Sequence, residues 1–375
     1  MASLNETPRA NRVGIAFFGL RNAGKSTLVN AFTGQDVAIV SDTPGTTTDP
    51  VSKAMEILPL GPCLVTDTAG LDDVGELGAL RVKKTLRVLE TADIAVWVET
   101  PHDSDRADLR DKFLAECRRR GVVAIDFRRG DSVEGLKRRI ASLKLADAGP
   151  GLLDGLVENG GSVVCVCPID ESAPKGRLIL PQVQLLRDCL DRHATCIVCQ
   201  PSELADALGR AASGALVVTD SQAFGEVRDV VRRFGNVRLT SFSILFARQK
   251  GDLAAFLGGV KAVGRLKDGD TVLIAEGCTH HRQCNDIGAV KIPKAIARLS
   301  GGKKLNFVFS SGMAFEIADA ALVVHCGGCM LTRREVLRRV DRAKESGVPI
   351  VNYGMLLAAA SGLSDVSENG VVDIK

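Results

Sequence analysis

The chain has 375 residues, 25% charged and 45% hydrophobic, with a formal net charge of +3. That length holds two or three domains, and the near-neutral balance with 4% aromatics argues against nucleic acid as a partner. No apolar run reaches the roughly 18 residues of a membrane span, and the polar start MASLNETPRANR lacks a signal-peptide core, so a cytoplasmic protein whose eleven cysteines are thiols or metal ligands is expected.

The first block alternates strands at 13–19, 64–70, 94–99 and 122–127 with helices from 25, through 82–90 and through 109–119. That alternation predicts a parallel sheet with helices on both faces. Between the first strand and helix, Gly19-Leu20-Arg21-Asn22-Ala23-Gly24-Lys25-Ser26 fits G-x-x-x-x-G-K-S, a phosphate-binding loop in the strand–helix context it requires, and Thr27 follows in the helix. Its glycines let backbone N–H groups wrap phosphates, Lys25 neutralises them, and Ser26 offers a hydroxyl to magnesium. The strand at 64–70 ends in Asp67-Thr68-Ala69-Gly70, where a carboxylate can hold the magnesium shell and the Gly70 N–H can meet the γ-phosphate. Gly45-Thr46-Thr47-Thr48-Asp49 lies between the two motifs, and Thr47, or else Thr48, is expected to close on magnesium. Lys25, Thr47 and Asp67 are thus the expected catalytic residues.

The stretch 145–156, LADAGPGLLDGL, reads as a linker. A second block has strands at 162–170, 195–200, 215–221 and 237–243, with helices through 182–191, from 202 and through 225–234. A third has strands at 271–277, 304–310, 321–328 and 349–354, with helices near 294–299 and 333–346. The fold class is therefore α/β: a P-loop domain at 1–148, then two α/β domains with mostly parallel sheets at 149–248 and 249–375. The long apolar run 237–246, VRLTSFSILF, is a strand that a second copy could complete, which predicts a homodimer through the middle block.

Two clusters near the C-terminus suggest a metal site: Cys278-Thr279-His280-His281 and His325-Cys326-Gly327-Gly328-Cys329. Each follows an apolar strand. In a parallel sheet such strands end on one edge, so the three cysteines can converge. Three thiols and an imidazole suit zinc or a 4Fe-4S cluster, and spacing alone does not separate these. Cys284 lies six residues past Cys278. Cys63, Cys117, Cys165, Cys167, Cys189, Cys196 and Cys199 read as packing residues, because Cys196 and Cys199 point to opposite faces of their strand.

The N-terminal motifs resemble the translation-factor-like GTPases, in the branch that includes Era and the tRNA-modifying GTPase MnmE. The resemblance implies GTP with magnesium and assigns Asn22 to a potassium ion that activates hydrolysis. Residue 71 is Leu where Ras-like enzymes carry a water-orienting Gln; Glu76 is a weak candidate for that role and reads more simply as an exposed switch-loop carboxylate. The guanine-reading N-K-x-D is absent: the strand at 122–127 is followed by Arg128-Arg129-Gly130-Asp131. The 131–140 stretch DSVEGLKRRI resembles the last loop and helix of such domains, as if a strand–helix unit were missing.

Taken whole, C-x-H-H … H-C-x-x-C behind a small GTPase domain resembles the HydF family, the maturation GTPases and scaffolds of FeFe-hydrogenases. The segments APKGRLILPQVQ, VVTDSQAF, LTSFSILFARQKGDL, NDIG, VKIP and GVPIVNYG carry the same likeness. It implies GTPase, dimerisation and cluster-binding domains. It also implies a 4Fe-4S cluster on Cys278, Cys326 and Cys329, with His280 and His325 as motif histidines and a variable fourth ligand. The implied role is to carry a di-iron precursor made with the radical-SAM maturases HydE and HydG and to deliver it to apo FeFe-hydrogenase. Two other readings remain open: an MnmE-like GTPase of RNA modification with structural zinc, and a nucleotide-independent iron–sulfur carrier.

Overall fold

The computed structural model describes residues 12–34, 51–73, 75–101, 103–128, 130–143, 145, 150–169, 178–277, 287–311, 315–317, 319–328, 331–362, 366, 367 and 369–374. They fall into two compact units, within Asn5–Ala148 and Gly149–Lys375. No helix among the described residues is long and apolar enough to cross a membrane.

The first unit runs β1 (Val13–Phe18), α1 (Lys25–Thr33), β2 (Val51–Ile57), β3 (Gly61–Asp67), α2 (Gly75–Leu89), β4 (Ile94–Val98), α3 (Ala107–Arg119), β5 (Val123–Phe127) and α4 (Val133–Ala141). The sheet order is β2-β3-β1-β4-β5. All neighbours are parallel except β2 against β3. Ile15, Phe17, Ile94 and Val96 pack into one layer, while Ala16, Phe18, Ala95 and Trp97 pack into the other. Burial on both faces is why these strands read as unbroken apolar runs. By contrast, β2 has mostly half-buried or exposed residues on the sheet edge, and no strand was expected there.

The second unit runs β6 (Ser162–Val166), α5 (Leu180–Asp191), β7 (Thr195–Cys199), α6 (Leu204–Arg210), β8 (Leu216–Thr219), α7 (Phe224–Val231), β9 (Arg238–Ser241), α8 (Phe242–Lys250) and α9 (Leu253–Val263). It continues through β10 (Thr271–Glu276), a π-helical turn at Ile287–Lys291, α10 (Ile292–Leu299), β11 (Asn306–Ser311), β12 (Leu322–His325), α11 (Arg333–Glu345), β13 (Ile350–Asn352) and α12 (Tyr353–Ala360). Two parallel four-stranded sheets result, ordered β7-β6-β8-β9 and β11-β10-β12-β13. One buried layer joins them, with Val164, Val217 and Leu239 from the first sheet and Val272, Ile274, Val324 and Val351 from the second.

Two expectations are corrected. The strand at 237–243 ends at Ser241, whose hydroxyl accepts from the Ile244 N–H, so SFSILF opens a helix. A capping serine outcompetes the apolar run's strand preference. The second half of the supposed linker is core: Leu152, Leu153 and Leu156 are buried, and Arg248 donates to the Leu152 and Asp154 carbonyls.

Adjacent glycines of α9 give a paired prediction. A Cβ on Gly259 would lie 2.0 Å from the Ile350 carbonyl oxygen, whereas one on Gly258 meets nothing within 4 Å. Gly259→Ala should destabilise the second unit by about 1–3 kcal/mol of overpacking, read as a lower urea midpoint of its transition. Gly258→Ala should leave it unchanged or raise it by up to about 1 kcal/mol of helix propensity. Equal midpoints for the two variants would refute the close contact of α9 with β13.

Candidate functional site

The phosphate loop is a ready-made cradle. Gly24 caps α1 at φ 83 with no side-chain bond to the helix's first N–H groups, and Asn22 is also left-handed, at φ 61. Gly tolerates that region at little cost, and Asn is the side chain that most readily follows it. The first-turn N–H groups are thereby presented to an anion. Lys25 is 6% exposed, and its Nζ donates to the Leu20 carbonyl at 2.7 Å and to that of Gly19 at 3.4 Å. Burial lowers its pKa, with Asp67, Asp72 and Asp73 acting the other way.

Asp67 ends β3 fully buried, and Ser26 Oγ donates to its Oδ2 at 2.6 Å. Burial pushes this carboxyl's pKa up, opposed by Ser26 and Lys25. Its Oδ1 is buried with no hydrogen-bond partner. A buried acceptor left over beside a serine hydroxyl fits a magnesium shell, because a hard cation takes up such oxygens. Gly70 is held close: a Cβ there would stand 2.8 Å from the Arg21 nitrogen. The sequence reading passed over Asp72, whose Oδ1 accepts the Arg21 N–H at 2.5 Å and ties the second motif to the loop. Its only signal was its place as the first of two aspartates just after D-T-A-G. Thr46, Thr47, Thr48 and Asp49 lie outside the described residues, as does the Glu76 side chain.

Among the described residues, the end of β5 offers no free carboxylate in place of the missing N-K-x-D. Asp126 is paired with Arg110 at 2.8 Å, and Arg110 also reaches Glu99 at 3.4 Å. These charges close on one another, so Asp126 serves the sheet edge.

In the second unit, β10 and β12 lie side by side with Ala275 opposite His325. The next residues meet: the Cys326 N–H donates to the Ala275 carbonyl at 2.9 Å, and the Gly277 N–H donates to Cys326 Sγ at 3.1 Å. Residues 277 and 326 thus meet at one sheet edge, whereas the expected convergence of three cysteines turns on Cys278 and Cys329. Cys278, His280, His281, Cys284 and Cys329 lie outside the described residues. Among the described residues no group of three or more His, Cys, Asp or Glu could hold a metal ion. Cys326 is the motif cysteine among the described residues, a half-buried thiol that receives a backbone N–H.

His325 is placed differently from a free ligand. It is 1% exposed, with Nδ1 2.6 Å from the Cys326 carbonyl oxygen and Nε2 3.1 Å from Arg339 NH1. Its pKa is pushed down to about 3 by burial and then by the Arg339 charge. The sequence reading missed three buried charged groups around this edge: Glu276, Arg339 and Lys250. Tyr353 donates its hydroxyl to Glu276 Oε1 at 3.3 Å. Lys250 lies over the Phe246 ring and donates to the Leu331 carbonyl at 3.3 Å. Arg339 had a legible signal, because it interrupts the apolar spacing of Val336, Val340 and Ala343 on the inner face of α11.

The remaining described cysteines pack. Burial pushes the Cys63, Cys117 and Cys199 thiols up to about 11. Cys196 joins one core layer with Cys165, Cys167 and Cys189, and Cys199 joins the opposite one.

Residues 152–251 match the hydrogen maturase F dimerization domain and residues 254–367 the hydrogen maturase F tetramerization domain. The chain belongs to the hydrogen maturase F family, HydF. Residues 14–125 match the 50S ribosome-binding GTPase domain, so this HydF-family chain carries a GTPase domain at its N-terminus, of the kind that uses GTP and magnesium. That part is also similar to the tRNA modification GTPase MnmE of Bacteroides thetaiotaomicron, 31% identical over 138 residues, which are 36% of this chain and 29% of the relative. MnmE of Methylobacterium radiotolerans is 40% identical over 105 residues, 27% of this chain and 24% of the relative. The chain thus spans under a third of the length of these two. A crystal structure of Era in complex with MgGDPNP and a 16S ribosomal RNA fragment aligns over 60% of this chain and 98% of that one, at 18% identity and a TM-score of 0.28. Both HydF-specific matches are named for self-association.

Proposed function

We propose that this protein is a slow GTPase and a scaffold for FeFe-hydrogenase maturation. It holds a 4Fe-4S cluster on Cys278, Cys326 and Cys329 and carries a di-iron precursor, built with HydE and HydG, to apo-hydrogenase. The observation that carries this reading is the meeting of Gly277 and Cys326 at one sheet edge, in a chain of the HydF family. It brings the residue that precedes one cysteine motif beside a cysteine of the other. The backbone N–H to Cys326 Sγ is the kind of bond that supports a thiolate ligand. Three cysteines leave one iron to His280 or an exchangeable ligand. The cluster, when bound, supplies an iron with an open coordination position.

In the GTPase unit the loop N–H groups and Lys25 hold the phosphates, while Ser26, Asp67 and Thr47 hold magnesium. Asn22 offers a side-chain oxygen to potassium, and Gly70 N–H faces the γ-phosphate. Guanine preference rests on the family, since no described residue reads the base. The working modules are 1–148, 149–248 and 249–375. Anaerobic reconstitution with iron and sulfide tests the scaffold reading. Iron and sulfide in equal amounts, with thiolate-to-iron absorption, is the expected result. Protein that takes zinc and no iron yet activates a hydrogenase would overturn it.

The homodimer is assigned to β7. The outer side of β9 is covered: Leu239 bridges Val372, and Thr240 donates to the Gly370 carbonyl. At the opposite edge, β7 pairs outward with no described strand; Val198 on it is 46% exposed, and Leu190 of α5 is 70% exposed. An open strand edge with apolar residues invites a second copy. Val198→Asp should halve the assembly mass in light scattering at micromolar concentration. An unchanged mass would remove β7 from the interface.

A further inference from the structure

A buried arginine within reach of a motif histidine is the least expected feature of this edge. Arg339 lies on the inner stripe of α11, 5% exposed, with its guanidinium over the Phe315 ring at 5.3 Å. Arg is a donor only. With NH1 3.1 Å from His325 Nε2, that nitrogen must accept, so the ring proton sits on Nδ1 and is donated to the Cys326 carbonyl. Both ring nitrogens are then used within the protein, and His325 can bind a metal only by giving up one of these bonds. The chain Arg339–His325–Cys326 also fixes the backbone turn that sets the direction of the Cys326 thiol.

We infer that Arg339 is a positioning residue of the cluster site: it takes His325 out of the ligand set, orients Cys326 through it, and leaves a permanent buried cation on the Cys326 side of that site. The inference rests on the cluster reading above and names the electrostatic partner of that cluster. Among charged neighbours on the same helix, Glu335 offsets this cation while Arg338 and Arg342 add to it. A cluster that accepts one electron from an external reductant gains negative charge. A fixed cation in a poorly screened site favours that reduced form. Arg339 therefore raises the cluster's reduction potential.

The test uses the full chain, anaerobically reconstituted and titrated with dithionite under paramagnetic resonance. Arg339→Met keeps the volume and removes the charge, and it should shift the oxidised-to-reduced ratio at fixed poise by about tenfold, about 59 mV lower for one electron. Arg339→Lys keeps the charge and should stay nearer the wild type. His325→Gln should keep its iron, and the wild type should show no imidazole nitrogen coupling that survives in His280→Ala. Iron-loaded Arg339→Met with an unchanged potential would overturn the inference alone. So would a surviving imidazole coupling, which can be read even if the arginine variants fail to fold. Wild-type protein that binds no iron would defeat the cluster reading itself.

Discussion

Lys25→Ala is expected to cut GTP turnover at least about 100-fold, the usual loss when a preorganised charge on a transferring phosphoryl group is removed. The ammonium is already in the loop, held on the Leu20 and Gly19 carbonyls. Stability should not fall with activity. Burial lowers the Lys25 pKa, so the folded state bears a cost for this charge that alanine does not. Phosphate release should therefore collapse while the thermal midpoint holds or rises. A variant that hydrolyses GTP at the wild-type rate would remove the loop from the chemistry. A variant that loses activity only by unfolding would leave the role of Lys25 unsupported.

Cys326→Ser should reduce bound iron to background after anaerobic reconstitution and abolish hydrogenase activation with it. A serine hydroxyl can still accept the Gly277 N–H, so the strand edge should persist while the soft thiolate ligand is lost. GTP turnover should be unaffected, since Lys25 and Asp67 lie in the other compact unit. Cys196→Ser and Cys199→Ser are the matched comparison, because they remove a second C-x-x-C pair. They should keep full iron, as their side chains join opposite core layers. Iron retained by Cys326→Ser, or lost equally from Cys196→Ser, would reject the assignment.

These two C-x-x-C pairs mark how far the sequence reaches. Cys196-Ile197-Val198-Cys199 is a strand, and strand alternation alone sends its two thiols to opposite faces. Cys326-Gly327-Gly328-Cys329 follows a strand, and Gly328 takes φ 67, so the chain turns where the other runs straight. The phosphate loop was legible for the same reason: its chemistry is carried by contiguous residues whose spacing fixes the backbone. The parallel sheets were legible because strands buried on both faces are apolar throughout.

Short or edge elements were not. VRLTSFSILF reads as one strand, but Ser241 caps a helix inside it, and a single hydroxyl-to-N–H bond decided the boundary. The 145–156 stretch looks like a linker from its Gly and Pro, yet its leucines fill a core supplied by segments far along the chain. Most of all, the roles of single charged residues came from packing. Asp126 sits near the end of the strand after which N-K-x-D is missing, and only the fold sets Arg110 against it. Arg339 looks like one more base on a basic helix, and His325 like a ligand, until the fold buries both at hydrogen-bonding distance. The sequence by itself determined the α/β class, the phosphate loop and the place of the cysteine motifs, because each depends on local spacing. Tertiary structure alone decided which histidine nitrogens are occupied and which charge stands beside Cys326, because those depend on helices and strands that meet only after the chain has folded.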